Sequence, residues 1–399
     1  MGAAQDPIVE AQADLDALGA DASPEAVSAA LVGLGVALMD GGQAREAVAV
    51  LEQSMSMSMR LSDPEALSDT MGVLGRALTE DRRYAEARDV LTTVVAQRSS
   101  LLGPDDPQTL VARGNLLRAV RLGGQPEESL RLARALLADR LRILGPDHPS
   151  TLDSRGHVAQ SLLEANEAPD AVRELEELIV DRVRVLGPDH IDVLSTRHNL
   201  AAARSRVPGA DPESVMAALV DNLSMIEERL GPEDPFTFMA LGFVAEQAQR
   251  SGEYELAIST LDALVEERTR VLGASAAATL TSRRMLAATL LASGDPERAL
   301  HVVDPAAVEA AMVYGPAAIE TLQLRLELAR VLQAELDDGG VDVDGGVDID
   351  ARLLGVLASL SAVDLSFLES GDPLRAQIES VLASSADPLG RGGLDGLDG

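Results

Sequence analysis

Arginine supplies all of the basic chemistry in this sequence. The chain has 399 residues, and its 33 basic residues are all arginine, which excludes a Schiff-base lysine or a P-loop lysine. The absence of cysteine excludes disulfides, thiol catalysis and cysteine-based zinc sites. A guanidinium group can hold a carboxylate through two parallel hydrogen bonds. Recognition of a carboxylate is therefore chemistry that these arginines could perform wherever they cluster.

Two segments of the sequence could bind a metal ion. The acidic, glycine-rich stretch 337–350 carries carboxylates that suit calcium, but the glycine and glutamate positions of an EF-hand loop do not align, which favours a solvated loop. Met55, Met57 and Met59 could offer thioethers to copper, but residues two apart on a helix point to different faces, which favours packing. We predict no metal and no cofactor, and leave calcium binding by the acidic stretch open.

Catalytic motifs are missing from the sequence. There is no His-Glu-x-x-His, no Walker loop and no nucleophile elbow, and Gly33-Leu34-Gly35 lacks the preceding strand of a nucleotide fingerprint. The five histidines are scattered, and two of them, His148 and His190, occupy equivalent positions in repeated loops. We therefore predict that the chain is not an enzyme.

The formal net charge of −32 disfavours nucleic acid as a partner of the chain as a whole. No apolar run reaches the roughly 18 residues that a membrane span needs, and the acidic N-terminal segment does not resemble a signal peptide. We expect a soluble, cytoplasmic protein with no membrane partner.

A connector of the form Leu-Gly-Pro-Asp-His-Pro recurs along the chain. The intervals between its glycines are 42 residues, except for 44 between Gly187 and Gly231; the glycines are Gly103, Gly145, Gly187, Gly231, Gly273 and Gly315. A left-handed glycine ends a helix, and Asp or His followed by Pro begins the next. A fixed period in this range indicates stacked helix hairpins.

The predicted fold is all-α: a right-handed α-solenoid of about eight helix pairs with terminal capping helices. The first pair is predicted at 24–40 and 43–60. The predicted segments are an N-terminal capping helix (1–23), the solenoid (24–336), an acidic Gly-rich loop (337–350), the last B helix with a C-terminal capping helix (351–385) and a disordered tail (386–399).

Positions counted from each connector glycine support two helices in close contact per repeat. Position +13 is large and apolar, and position +14 is small in all but the first copy: Leu117, Ala159, Ala201, Ala245, Ala287 and Ala329. Position +26 is also small: Ser129, Ala171, Ala257 and Ala299, with Ser214 one place late. Small side chains let one helix cross another closely.

These columns resemble the tetratricopeptide repeat, and the 42-residue form with this connector is similar to the kinesin light chain type, which is also abundant in bacteria. The resemblance covers roughly residues 24–336. The first aromatic of the repeat is replaced by arginine at Arg113, Arg155, Arg197, Arg283 and Arg325. The connector Gly273-Ala274-Ser275-Ala276 has lost its Pro and Asp.

The resemblance implies that partners dock on the concave surface lined by the first helix of each pair. The residues expected there are Arg118, Arg121, His157, Gln160, His198, Asn199, Arg206, Gln249, Arg250, Arg284 and Arg330. At position +11, counted from the connector glycine, Gly114, Gly156 and Gly242 are expected to leave room for a partner in the groove. The arginines suggest a partner peptide with acidic residues. The alternative is that they pair with Asp and Glu of adjacent helices.

The sequence thus predicts a non-catalytic scaffold or adaptor for protein–protein interaction, which binds a peptide segment in its groove. One alternative is a regulatory sensor whose superhelix responds to a peptide or small ligand. Another is a structural subunit of a larger assembly. The partner and the oligomeric state are not specified by the sequence.

Overall fold

The structure, a computed structural model, describes residues 7–19, 21–61, 63–337, 349–368 and 372–385. Those residues form eighteen α-helices and one short 3-10 helix, with no strand among them. The all-α prediction is confirmed. Most of the predicted acidic loop and all of the predicted tail lie outside the described residues. The chain divides into two compact units, which meet in sequence between Ala210 and Asp211.

Unit 1 contains a capping helix and then alternating first (A) and second (B) helices of the repeats. Its helices are α1 Pro7–Ala17, α2 Pro24–Asp40, α3 Ala44–Leu61, α4 Pro64–Glu80, α5 Tyr84–Leu101, α6 Pro107–Leu122, α7 Pro126–Leu144, α8 Pro149–Glu164, α9 Ala168–Leu186 and α10 Ile191–Arg204. The even-numbered helices are the A helices. Consecutive helices pack together, and successive A helices also touch, as α2 touches α4 and α4 touches α6. This is the packing of a solenoid.

Unit 2 continues the alternation. Its helices are α11 Pro212–Leu230, α12 Pro235–Arg250, α13 Tyr254–Leu272, α14 Ala277–Ala292, α15 Pro296–Val313, α16 Ile319–Asp337, α17 Ile349–Ser361 and α18 Pro373–Ser385. The A helices are α12, α14 and α16, and α18 packs on the last pair.

The connectors begin and end helices as their residues predict. Gly145 has φ +86°, and its N–H donates to the carbonyl of Leu141, four residues earlier. His148 then caps α8, because its imidazole nitrogen accepts from the backbone N–H of Ser150 at 3.1 Å. Asp106 and Asp234 cap α6 and α12 in the same way. Each cap satisfies an otherwise unpaired helix N–H.

A threonine six residues after the connector glycine holds the connector in place. Thr237 Oγ1 donates to the carbonyl of Gly231 at 2.8 Å, and Thr279 Oγ1 donates to that of Gly273 at 2.9 Å. Thr109 and Thr321 do the same for Gly103 and Gly315. These threonines are buried, so each bond gives a buried hydroxyl a partner within the protein.

The small-residue columns are buried where A and B helices cross. Ala159, Ala245 and Ala287 are fully buried at position +14, and so are Ser129, Ala171, Ala257 and Ala299 at position +26. The prediction for Ser214 is wrong: it is exposed, and Val215 is buried instead. The interval that contains it is two residues longer, so the equivalent position is displaced by two.

Candidate functional site

Four B-helix arginines reach across to the A helix of the following repeat. Arg140 Nη1 donates to the carbonyl of Ser150 at 2.9 Å and to Ser154 Oγ at 2.8 Å. Arg98, Arg182 and Arg268 donate to the equivalent carbonyls of Gln108, Asp192 and Ala278. Burial lowers the pKa of the Arg140 and Arg268 guanidinium groups. We call these four residues the carbonyl-binding arginines.

A second set of arginines ties the end of a repeat to its own connector. Arg142 donates to both carboxylate oxygens of Asp105, at 2.9 and 2.6 Å, and Arg184 donates to those of Asp147 at 2.8 and 2.6 Å. Arg270 pairs with Glu233. The hydrogen bonds from these arginines lower the pKa of Asp105 and Asp147. We call these the edge pairs.

The arginines that replace the first aromatic of the repeat also have internal partners. Arg113 Nη1 lies 2.7 Å from Asp139 Oδ2, and Arg283 Nη1 lies 2.9 Å from Glu309 Oε2. Arg155 binds Glu174 and Asp181, both at 2.6 Å. All of these acids lie on the B helix of the same repeat, so these arginines are structural.

On the A-helix side of unit 1, two of the predicted groove arginines have acidic neighbours. Arg121 Nη1 lies 2.9 Å from Glu164 Oε1, which joins α6 to α8. Arg118 Nη1 lies 3.7 Å from Glu80 Oε1, and 51% of its side chain is exposed. Arg121 is thus neutralised within the protein, whereas Arg118 is only weakly paired.

His157 lies beside this ion pair on α8. Burial, and secondly the nearby positive charge of Arg121, lower the pKa of its imidazole. Its Nδ1 atom has no hydrogen-bond partner among the described residues. Gln160 and Glu164 follow at three and seven residues, so the three side chains share one helix face. The face combines a neutral imidazole, an amide and a paired carboxylate.

The three remaining predicted residues of unit 1 differ in accessibility. His198 is only 7% exposed, so it belongs to the packed interior, and burial lowers its pKa. Asn199, next to it on α10, is half-buried. Arg206 follows the end of α10 and is exposed.

The glycine column explains why His198 is buried. A Cβ added at Gly114 would meet Leu136 and Arg140 of α7, and one added at Gly156 or Gly242 would meet a B-helix leucine at 3.9 Å. Position +11 therefore faces the B helix rather than an open surface. The expectation that these glycines leave room in a groove is not what the structure shows.

In unit 2 the predicted residues lie on three A helices. Gln249 and Arg250 end α12, where Arg250 is exposed. Arg284 of α14 lies with Glu320 and Gln323 of α16 in a shallow cleft, and its Nε atom has no partner among the described residues. Arg330 of α16 lies 3.3 Å from Glu327 and donates to Gln377 of α18 at 3.3 Å.

A cavity of about 310 Å³ opens in unit 1 where the connector is short. It is lined by Ser58, Met59, Asp63, Leu67, Gln97 and Leu101, among others. Helix α3 ends at Leu61 and α4 begins at Pro64, whereas five residues separate α5 from α6. Met55 packs against the core, whereas Met59 is exposed at this cavity. Among the described residues, no cluster of three His, Asp or Glu side chains could hold a metal ion.

The carbonyl-binding arginines, the edge pairs and the connector threonines were all missed by the sequence reasoning. Their signal is present in the sequence: the threonine recurs at position +6, and arginine recurs at +37 and +39. A column of identical polar residues at the repeat period is what would have identified them.

Parts of both units match known protein-family models. One tetratricopeptide repeat model matches residues 72–141 and 236–303, and a second matches residues 151–192. The matched segments are tetratricopeptide repeats. The recognition made from the connector is thus confirmed. Among curated protein sequences, none matches the chain.

Several solved structures resemble the chain at low sequence identity. A Rap protein crystallised with Competence and Sporulation Factor is 10% identical, with a TM-score of 0.51, over 88% of this chain and 92% of that one. A Podosopora anserina kinesin light chain with nearly identical TPR-like repeats is 22% identical, with a TM-score of 0.45, over 52% and 97% of the two chains. BtubC from P. vanneervenii is 15% identical, with a TM-score of 0.44, over 60% and 91%. The likeness to the Rap protein shows a shared fold.

None of the described helices combines the length and apolar character that a membrane span requires.

Proposed function

We propose that this tetratricopeptide repeat protein is a non-catalytic scaffold or adaptor that binds a peptide segment with acidic residues along its A helices. Repeats of this family support protein interaction in general. The choice of an acidic peptide rests on how unevenly the arginines are matched by carboxylates inside the protein.

The observation that carries the proposal is that edge-pair arginines have close internal carboxylates, whereas several A-helix arginines do not. The edge-pair arginines Arg142 and Arg184 hold carboxylates bidentately at 2.6 to 2.9 Å. On the A-helix side, Arg118 is half exposed and lies 3.7 Å from its nearest acid, and the exposed Arg206 and Arg250 form no ion pair within the described residues. An exposed guanidinium without an internal carboxylate is available to a partner's carboxylate.

Helix α12, which ends with Arg250, also carries apolar side chains that are not fully buried. Met239 is 47% exposed on α12, and Phe243 follows one turn later. Met285 of α14 is half-buried. Methionine and aromatic side chains adapt to apolar groups of a ligand. The proposed ligand of this unit therefore combines an acidic residue with an apolar one.

The first prediction concerns the ligand class. A phage-displayed random peptide library, selected on the full chain, should yield peptides enriched in Asp and Glu. Affinity of one selected, fluorescently labelled peptide is then measured by anisotropy. The variants Arg118→Glu/Arg206→Glu and Arg250→Glu identify the binding unit, and the variant in the unit that carries the site should weaken binding by about tenfold or more, because each reversal replaces attraction by repulsion.

The matched control is Arg131→Glu. Arg131 is an exposed arginine on the B helix α7 with only a local partner, Glu128. Its reversal changes the net charge without touching the A-helix side, so affinity should stay close to that of the wild type. Selected peptides without acidic enrichment, or equal losses in all variants, would contradict the proposal.

A further inference from the structure

Two of the four carbonyl-binding arginines also bind a carboxylate. Arg98 Nη2 donates to Asp69 Oδ1 at 2.7 Å, and Arg182 Nη2 donates to Asp153 Oδ1 at 2.8 Å. In both repeats the acid lies 29 residues before the arginine, on the A helix of the same repeat. The two arginine side chains are 13% and 9% exposed, whereas the aspartates are 59% and 53% exposed. The acid therefore lies at the surface beside a nearly buried cation.

The other two carbonyl-binding arginines, Arg140 and Arg268, lack this acid. The residues 29 positions before them are Val111 and Met239, which are 54% and 47% exposed. Nη1 of each arginine keeps its bonds to a carbonyl and a serine of the next repeat, whereas Nη2 makes no hydrogen bond or ion pair with any described residue. Their Nε atoms are fully enclosed, but their Nη2 atoms are not. The atom that binds a carboxylate in two repeats is thus unused and accessible in the other two.

The missing acid leaves a partly buried cation without a close counter-ion. Burial lowers the pKa of both guanidinium groups; at Arg140 the more distant Asp153 opposes this effect and Arg113 adds to it. Arg268 lies 5.4 Å from the ring centroid of Phe238, a contact that favours a cation but uses none of its N–H groups. An unpaired charge that is partly buried is unfavourable, so a carboxylate from another molecule would be attracted to it.

A further repeat shows that the arginine and the acid can be absent together. The two equivalent positions in the repeat of α14 and α15 are Thr281 and Ala310, again 29 residues apart. Arg140 and Arg268 differ from this repeat, and from the two with an internal aspartate, because they keep the cation alone. The sequence pattern therefore points to a carboxylate that comes from outside the chain.

We propose that Arg140 and Arg268 each bind a carboxylate of the partner peptide, in the place that an internal aspartate takes in two other repeats. This inference rests on the proposed function and names two of its contact points. Nη2 donates to an Asp or Glu side chain of the peptide. The exposed Val111 or Met239 contacts an apolar group next to that acid.

These positions share a helix face with exposed arginines that are proposed to bind the peptide. Val111 and Arg118 are seven residues apart on α6, and Met239 and Arg250 are eleven residues apart on α12, which correspond to two and three helical turns. At about 1.5 Å per residue, the two positions are separated by about 10 Å in unit 1 and about 16 Å in unit 2. The peptide therefore carries two acids at about the distance of the unit that binds it.

The test supplies the missing acid within the protein. Val111→Asp and Met239→Asp leave the arginines and their main-chain bonds in place. Each variant should unfold at a higher urea concentration than the neutral Asn variant of the same position, because the internal ion pair is completed. The matched control compares Thr281→Asp with Thr281→Asn, which adds the same charge where Ala310 stands in place of the arginine, and it should show no gain.

The same variants are then tested by anisotropy with one labelled acidic peptide from the library selection. In the unit that carries the site, the Asp variant should bind at least about tenfold more weakly than the Asn variant, because the internal carboxylate occupies the guanidinium group and repels the acid of the peptide. The pair of variants at Thr281 should differ by less than about threefold, since that charge acts only through solvent.

Equal urea midpoints of the Asp and Asn variants at one position overturn the inference for the arginine of that position. Equal peptide affinities in both pairs overturn it for the ligand. If Arg118→Glu/Arg206→Glu or Arg250→Glu still weakens binding in that case, the proposed function stands without these two contact points. A selection without acidic enrichment overturns both.

Discussion

At the scale of single residues, side chains on the A helices differ in whether they are paired, buried or accessible to a partner. Arg121 is held by Glu164 and His198 is packed inside, whereas Arg118 and Arg250 remain accessible. All four occupy expected groove positions of the repeat. Periodicity places a residue on a helix face, but the size and charge of its neighbours decide whether it can meet a partner.

The second prediction is a pH dependence that comes from His157. Its folded pKa lies below the ordinary value of 6.5, mainly because burial disfavours the charged form and also because Arg121 is close; Arg140 and Arg182 act in the same direction, and Asp153 opposes them. As the pH falls, His157 binds a proton in the unfolded chain before it does so in the folded chain. The free energy of unfolding should therefore decrease as the pH drops below about 6.5.

The measurement is urea unfolding of wild type and His157→Gln at several pH values between neutral and mildly acidic. The variant should lose less stability on acidification, because glutamine does not titrate. His198, whose pKa is also lowered by burial, should keep part of the dependence. Parallel pH profiles of wild type and variant would show that His157 does not contribute.

At the scale of helices and connectors, most of the fold could be predicted from the sequence. Helices α2 and α8 begin at Pro24 and Pro149, directly after Ser23 and His148, because a cap and a proline act locally. The prediction for Ser214 failed because burial at that position is not a local property. It depends on the register of two helices across a longer repeat. Local signals survive an insertion, whereas counted positions do not.

The third prediction concerns the connector that has lost its cap. Ala276 precedes α14 with φ −61° and ψ 138°, close to the −69° and 137° of the capping residue Asp234, but it makes no side-chain cap bond. Ala276→Asp should therefore raise the free energy of unfolding by about 1 kcal/mol without backbone rearrangement.

Urea unfolding of Ala276→Asp and of the reverse change, Asp234→Ala, tests this expectation. Ala276→Asp should raise the free energy of unfolding and Asp234→Ala should lower it by a similar amount, because the backbone conformation is nearly the same at both caps. If adding the carboxylate at residue 276 destabilises the protein, repulsion from the acidic surface outweighs the cap.

At the scale of the whole molecule, two large electrostatic effects oppose each other. Exposed ion pairs such as the edge pairs contribute little to stability, because solvent screens them, and they weaken further with salt. Repulsion among the acids that give a net charge of −32 also weakens with salt, and this relief stabilises the folded chain. We expect repulsion to dominate, because the acids, 65 in all, outnumber the 33 arginines about two to one.

The fourth prediction follows from that balance. The midpoint of thermal unfolding should rise by a few degrees as sodium chloride increases from about 0.01 M to about 0.3 M. Chloride is preferable to sulfate, which also strengthens apolar burial. Protein concentration is kept constant because self-association would also shift the midpoint. A midpoint that falls with salt would mean that the ion pairs contribute more than the repulsion costs.

The division into two units was not apparent from the sequence. It falls between α10 and α11, which are the A and B helices of one repeat, rather than at a connector. The segment there, Val207-Pro208-Gly209-Ala210, carries turn residues like those of other A–B turns. The turn residues of a repeat indicate where its helices end, but they do not indicate where the chain divides into compact units.

The carbonyl-binding arginines have a consequence for how such a chain can change in evolution. Each of them donates a hydrogen bond to a main-chain carbonyl of the next repeat, and every amino acid has such a carbonyl. The edge pairs draw both members from a single repeat. A recombination event that copies or deletes one repeat-length block therefore leaves these main-chain bonds and edge pairs intact at the new junction, so they require no compensating substitutions.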